Sequence, residues 1–104
     1  MTGPLPIEVS DQADRQIREA DLWWRQHRNK APNAIREELE RIGSLIAFQP
    51  HLGARAINVK LAGVRRIHIE RIHCDLYYRV VGSPPEYLEI VAFWGSRRGS
   101  GPPI

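Results

Sequence analysis

The sequence predicts an α+β domain with the order β-α-α-β-β-β, a helical hairpin packed on one face of a small antiparallel sheet. Three observations predict it. Between residues 10 and 50, apolar residues recur twice at helical spacing, with Pro32 and Pro50 bounding the second run. After residue 63, three runs alternate apolar and polar residues, with turn signals between them. Ahead of the helices stands one short alternating stretch, Ile7-Glu8-Val9.

Each element can be justified in order. Ile7 and Val9 share one face, and the preceding Pro4 and Pro6 suit the start of an edge strand. Ser10 or Asp11 is a suitable N-cap for the first helix. In that helix Ala13, Ile17, Ala20 and Trp24 form one stripe, and the pattern runs to about Asn29. Leu22 and Trp23 lie off the stripe, free to cover a neighbour or a partner. Pro32 or Asn33 opens a second helix, in which Ile35, Leu39, Ile42 and Ile46 repeat. Residues 51–63 read as a connector with weak strand character. Strands follow at 64–70, 74–81 and 87–94, with Gly82-Ser-Pro-Pro85 as a turn. The last strand is apolar on both faces, which predicts a central position. Residues 1–104 make a single domain, with loose tails expected at 1–5 and 99–104.

Composition narrows the function classes. The 104 residues carry 15 Lys plus Arg against 12 Asp plus Glu, a net charge of +3. A chain this short has a modest core and no room for a cofactor cleft between domains. One cysteine excludes a disulfide scaffold and a multi-cysteine metal site. On an alternating strand, Cys74 reads as buried and inert. No apolar run approaches a membrane span. No metal or cofactor is expected, no membrane partner either, and a cytoplasmic location is. The charge is unevenly spread: residues 1–50 hold seven cations and eight anions, whereas residues 51–104 hold eight cations and four anions. Thirteen of the cations are Arg, whose fork suits phosphates and carboxylates.

Several phrases, in order, carry a resemblance. They are the Pro50-x-x-Gly53 turn, Gly63-Val-Arg-Arg-Ile-His-Ile69, Leu76-Tyr-Tyr-Arg-Val80 and Glu89-Ile-Val-Ala-Phe-Trp-Gly-Ser-Arg-Arg98. Together they resemble the RelE/ParE superfamily, the toxins of bacterial type II toxin–antitoxin systems. The resemblance spans nearly the whole chain from Ile7. It implies a compact β-α-α-β-β-β fold and a cognate antitoxin as partner, in a toxin–antitoxin hetero-oligomer. It also implies one of two targets, DNA gyrase for ParE-like members or ribosome-bound mRNA for RelE-like members.

In the mRNA-cutting branch, basic groups fall where Arg66, His68 and Arg97 stand here, so these are the catalytic candidates of a metal-independent endonuclease. Arg66 and His68 lie two apart, on one face of a strand. Two departures point away from cleavage. The branch has an Arg where this chain has Asp75, and a Tyr in a C-terminal helix where this chain ends Gly-Ser-Gly-Pro-Pro-Ile. Asp75 reads instead as a cross-strand partner for Arg66 or Arg79. The favoured expectation is therefore ParE-like inhibition of gyrase, with Arg65, Arg66, Arg97 and Arg98 contacting the target and Leu22 and Trp23 the antitoxin. The alternatives are a RelE-like mRNA endonuclease and a non-toxic module that only binds antitoxin.

Overall fold

The computed structural model describes residues 3–104. Met1 and Thr2, part of the N-terminal tail expected to be loose, lie outside them. The elements are β1 (Ile7–Val9), α1 (Asp11–His27), α2 (Ala34–Phe48), β2 (Ala54–Arg55), β3 (Val64–Ile69), a 3-10 turn (Glu70–Ile72), β4 (Cys74–Val81) and β5 (Tyr87–Gly95). The order read from the sequence stands, with β2 added from the connector. Two residues are too short to show a clear alternation, so the connector carried only its weak strand character.

Capping fixes where α1 begins. The Ser10 hydroxyl accepts from the Ala13 N–H at 3.1 Å, and the Ser10 N–H donates to the Ile90 carbonyl at 3.0 Å. One residue thus ends β1, starts α1 and ties both to β5. Both predicted helical stripes face the sheet. Ala13, Ile35, Ile42 and Ile46 are buried, with Ile17, Ala20, Trp24 and Leu39 packed around them. They meet Ile69, Leu76, Tyr78, Leu88, Ile90 and Phe93 from the strands.

The sheet runs β1-β5-β4-β3-β2. Its three later pairings are antiparallel, but β1 joins β5 in parallel, with Ile7 opposite Leu88. The sheet is therefore mixed. The helical hairpin carries the chain across the sheet to β2 at the far edge, and the antiparallel run β2 to β5 then brings it back beside its first strand. β5 lies inside the sheet, as its two apolar faces required, while the middle place goes to β4.

A bulge corrects the alternation expected for β5. Tyr77 faces Ala92 and Tyr78 faces Ile90, so Val91 is an extra residue. Leu88, Ile90 and Phe93 consequently point to the helices. Val91, Ala92 and Trp94 point the other way and join Val64 and Tyr77 in a second apolar cluster. Near the bulge, the Phe93 N–H donates to the Gln16 side chain of α1 at 2.8 Å.

Residues at both ends of the described chain make contacts. The Leu5 N–H donates to the Ala47 carbonyl at 2.9 Å, which ties the first strand's approach to α2. Beyond β5, the Trp94 indole donates to the Ser100 carbonyl at 2.8 Å, and the Lys60 N–H donates to the Ile104 carbonyl at 2.7 Å. Pro102 is buried, and Ile104 packs on the second cluster beside Ala56 and Val59. Residues 99–104 are thus docked on the helix-free face of the sheet. They are held there because that face carries an apolar cluster that the helices do not cover.

Candidate functional site

A groove of about 690 Å³ lies between α1 and the end of β5. One wall is α1, with Arg15, Glu19, Trp23 and Trp24, followed by Arg28. The other wall is the turn before β4, with Ile72, His73 and Cys74, and the segment from Phe93 to Arg98. Trp24 is held in its wall by an indole hydrogen bond to the Ala31 carbonyl at 2.9 Å. Ile35 and Phe93 supply apolar floor.

Four arginines line this groove, Arg15, Arg28, Arg97 and Arg98, against one carboxylate, Glu19. Among the described residues none of the four is paired with a carboxylate. Five arginines elsewhere are, Arg18 with Asp14, Arg25 with Asp21, Arg41 with Glu38, Arg71 with Glu37 and Glu38, and Arg79 with Glu89, whereas Arg36, Arg55, Arg65 and Arg66 make no such pair and lie scattered outside the groove. Three of the groove arginines rest on rings instead. Arg98 sits 4.0 Å from the Trp94 ring centre, and Arg28 lies 5.3 Å from Trp23 and 5.8 Å from Trp24. The Arg97 guanidinium lies 3.5 Å from both ring nitrogens of His73. A guanidinium lying on a ring is held in place while its N–H edge stays open to a planar anion. The groove is thus an apolar slot with a basic rim, suited to an acidic amphipathic segment.

The structure separates the residues singled out in the sequence. Arg97, Arg98 and Trp23 meet in the groove. Leu22 is 59% exposed and does not line it. Arg65 and Arg66 point to opposite faces of β3. Arg65 donates to the Gly53 carbonyl at 2.7 Å and so braces the turn after α2. Arg66 is exposed on the helix-free face, outside the groove.

His68 shares that face, but its ring is fully engaged. Nδ1 lies 2.8 Å from Asp75 and Nε2 lies 2.7 Å from Glu70. These contacts, Asp75 first and Glu70 second, raise its pKa above the ordinary 6.5. Asp75 therefore pairs with His68 and not with Arg66 or Arg79. The register decides this, because His68 stands opposite Asp75 and Arg79 opposite Glu89, to which it bonds at 2.8 Å. Cys74 borders the groove as a buried thiol, and burial pushes its pKa up to about 11. A thiol that stays protonated is a poor nucleophile.

Sequence reasoning missed Arg15, Glu19 and Arg28 as groove residues. A faint signal existed: Arg15, Glu19 and Trp23 recur every four residues beside the buried stripe. What that second stripe faces depends on where β5 ends, and spacing along one helix does not contain that.

Among the described residues no helix is long and apolar enough to cross a membrane. No curated protein matches the chain in sequence. Among solved structures it is similar to the chromosomal ParDE TA system from P. aeruginosa, at 17% identity and a TM-score of 0.68. That match covers 88% of this chain and 95% of the other, and it shows a shared fold. The family model for the ParE toxin of type II toxin–antitoxin systems, parDE, matches residues 7–99. A match over this much of the sequence shows that the chain belongs to the ParE toxin family.

Proposed function

We propose that this ParE-family toxin arrests growth in the bacterial cytoplasm by binding DNA gyrase, without cleaving a substrate, and that its cognate antitoxin neutralises it by filling the groove beside α1. The observation that carries the reading is the set of four groove arginines without carboxylate partners. All four are exposed, so like charge gathers on one surface with no anion of the chain to offset it, and a partner that brings anions would supply the offset. In this reading Arg97, Arg98 and Arg66 contact the target. An acidic antitoxin segment covers Arg97 and Arg98 and anchors an apolar side chain against Trp23 and Trp24. Arg65 supports the surface indirectly, through the turn at Gly53.

Two features support binding over cleavage. A general acid or base needs a free nitrogen near the reacting oxygen, and both nitrogens of His68 are taken by carboxylates. Asp75 and Glu70 also place negative charge where a scissile phosphate would have to sit.

A supercoiling assay with purified toxin tests the reading. Gyrase should lose activity as toxin is added, and added antitoxin should restore it. Full gyrase activity at toxin excess would sink the proposal. If transcripts then show cuts at the ribosomal A site, the endonuclease reading takes its place. Normal colony counts on induction without antitoxin would instead leave a module that only binds antitoxin.

A further inference from the structure

The corner between β3 and β4 contains a cluster that the binding reading does not use. His68 stands on β3 with a carboxylate at each ring nitrogen, Asp75 of β4 at 2.8 Å and Glu70 of the 3-10 turn at 2.7 Å. A neutral imidazole has one N–H and one lone pair. It can donate to one of these carboxylates, and its lone pair then faces the other. Only the imidazolium satisfies both contacts at these distances. The proton is therefore a structural part of this corner.

The two carboxylates are held very differently. The Asp75 side chain is 12% exposed and fixed in the middle of the sheet, whereas that of Glu70 is 82% exposed. When the proton leaves, Glu70 is the contact that can swing away. The basic side chains near it are those of His73, whose backbone N–H bonds to the Glu70 carbonyl, and Arg97. Together with His68, which acts most strongly, they hold the Glu70 carboxyl below its ordinary range. The remaining groups around His68 are Arg66 two residues earlier on β3 and, on β5, the uncharged Trp94, which stands opposite Asp75 and carries Arg98.

We infer that the proton on His68 decides whether Glu70 is kept at the sheet corner or released to pair with Arg97, so that proton loss withdraws one cation from the binding groove. The inference rests on the groove being the binding surface, and it adds a pH control to it. Below the titration Glu70 is occupied and Arg97 is open to an anionic partner. Above it Glu70 competes for Arg97, and the groove rim loses positive charge.

The test is a titration of the full isotope-labelled chain by NMR from about pH 5 to about pH 9, a range that spans an ordinary histidine. The His68 ring should titrate above an ordinary histidine, and the Arg97 Nε–H signal should move in step with it. In Glu70→Gln the His68 value should fall and the Arg97 response should vanish, while Asp75 still holds the ring. A short poly-glutamate peptide serves as the anionic probe. It should bind about two- to fivefold more weakly at pH 9 than at pH 6, the change that loss of one surface ion pair gives. That difference should disappear in Glu70→Gln. A His68 ring already neutral at pH 6, or an Arg97 signal that stays still while His68 titrates, overturns the inference. None of these readings needs a toxic chain. A corner that titrates as described in a protein that leaves gyrase untouched would keep the switch and reject the target.

Discussion

The Tyr78 hydroxyl accepts from the Gly53 N–H at 2.9 Å and donates to the Pro50 carbonyl at 2.8 Å. It closes the turn after α2 from inside the sheet, and burial pushes its pKa above the ordinary value. The approach is tight enough that a Cβ at Gly53 would stand 3.0 Å from the ring, which is why a glycine sits there. Tyr78→Phe should cost roughly 1–3 kcal/mol, because it orphans two backbone groups at once. Urea denaturation would show this as a lower midpoint with an unchanged slope. An unchanged midpoint would mean that water enters and replaces the hydroxyl. His68 gives the residue scale its pH dependence. Its folded pKa is raised, so its contribution is whole below the ordinary 6.5 and is lost as pH rises through the folded value. Glu38 runs the other way. Arg41 at 2.7 Å and Arg71 at 3.2 Å hold it below the ordinary 4.5, so its contribution is present above that value and fades as the solution is acidified. Thermal melts of His68→Asn should therefore match the parent at high pH and fall below it at about pH 5.

At the scale of elements, the helices were legible because each buries one stripe against one surface, and a stripe is written in spacing. Strands β3 and β4 were legible for the same reason at period two. The bulge in β5 was not, since Ile90 to Trp94 is apolar on both faces and alternation carries no information there. The contacts of the tail were not legible for a related reason. Gly and Pro mark a segment without its own periodicity, but they say nothing about whether it lies on something. Gly101 shows the docking clearly, because a Cβ added there would collide with the Asn58 carbonyl. Asn58 is itself held by a hydrogen bond from its side-chain amide to the Tyr77 hydroxyl at 3.0 Å. Gly101→Val should lift residues 99–104 from the sheet. Hydrogen exchange at the Lys60 amide, whose partner is the Ile104 carbonyl, should then quicken by about tenfold, as the loss of roughly 1.4 kcal/mol of local protection implies. Exchange as slow as in the parent would show that the strap tolerates the clash.

At the scale of the whole molecule, the charge of +3 proved to be an incomplete description. Sequence halves placed the surplus in the C-terminal residues, yet the groove draws two of its four arginines, Arg15 and Arg28, from the near-neutral first half. The fold, and not the order of residues, brings these four cations together. Association with an acidic antitoxin should consequently be steered by charge. Its on-rate should fall on the order of tenfold between low and physiological salt, and the fall should shrink when Arg97 and Arg98 are both replaced by Ala. Stopped-flow binding would measure it, and a salt-independent rate would contradict the steering. The parallel pairing of β1 with β5 has a consequence in time. Ile7 finds its partner only when Leu88 exists, and Ser10 finds the carbonyl of Ile90 only two residues later. The first strand therefore stays unpaired until β5 has been made. The groove wall from Phe93 to Arg98 follows directly on β5, so sheet and groove are completed together. In the proposed reading, the surface that an antitoxin fills comes into being at the moment the sheet closes.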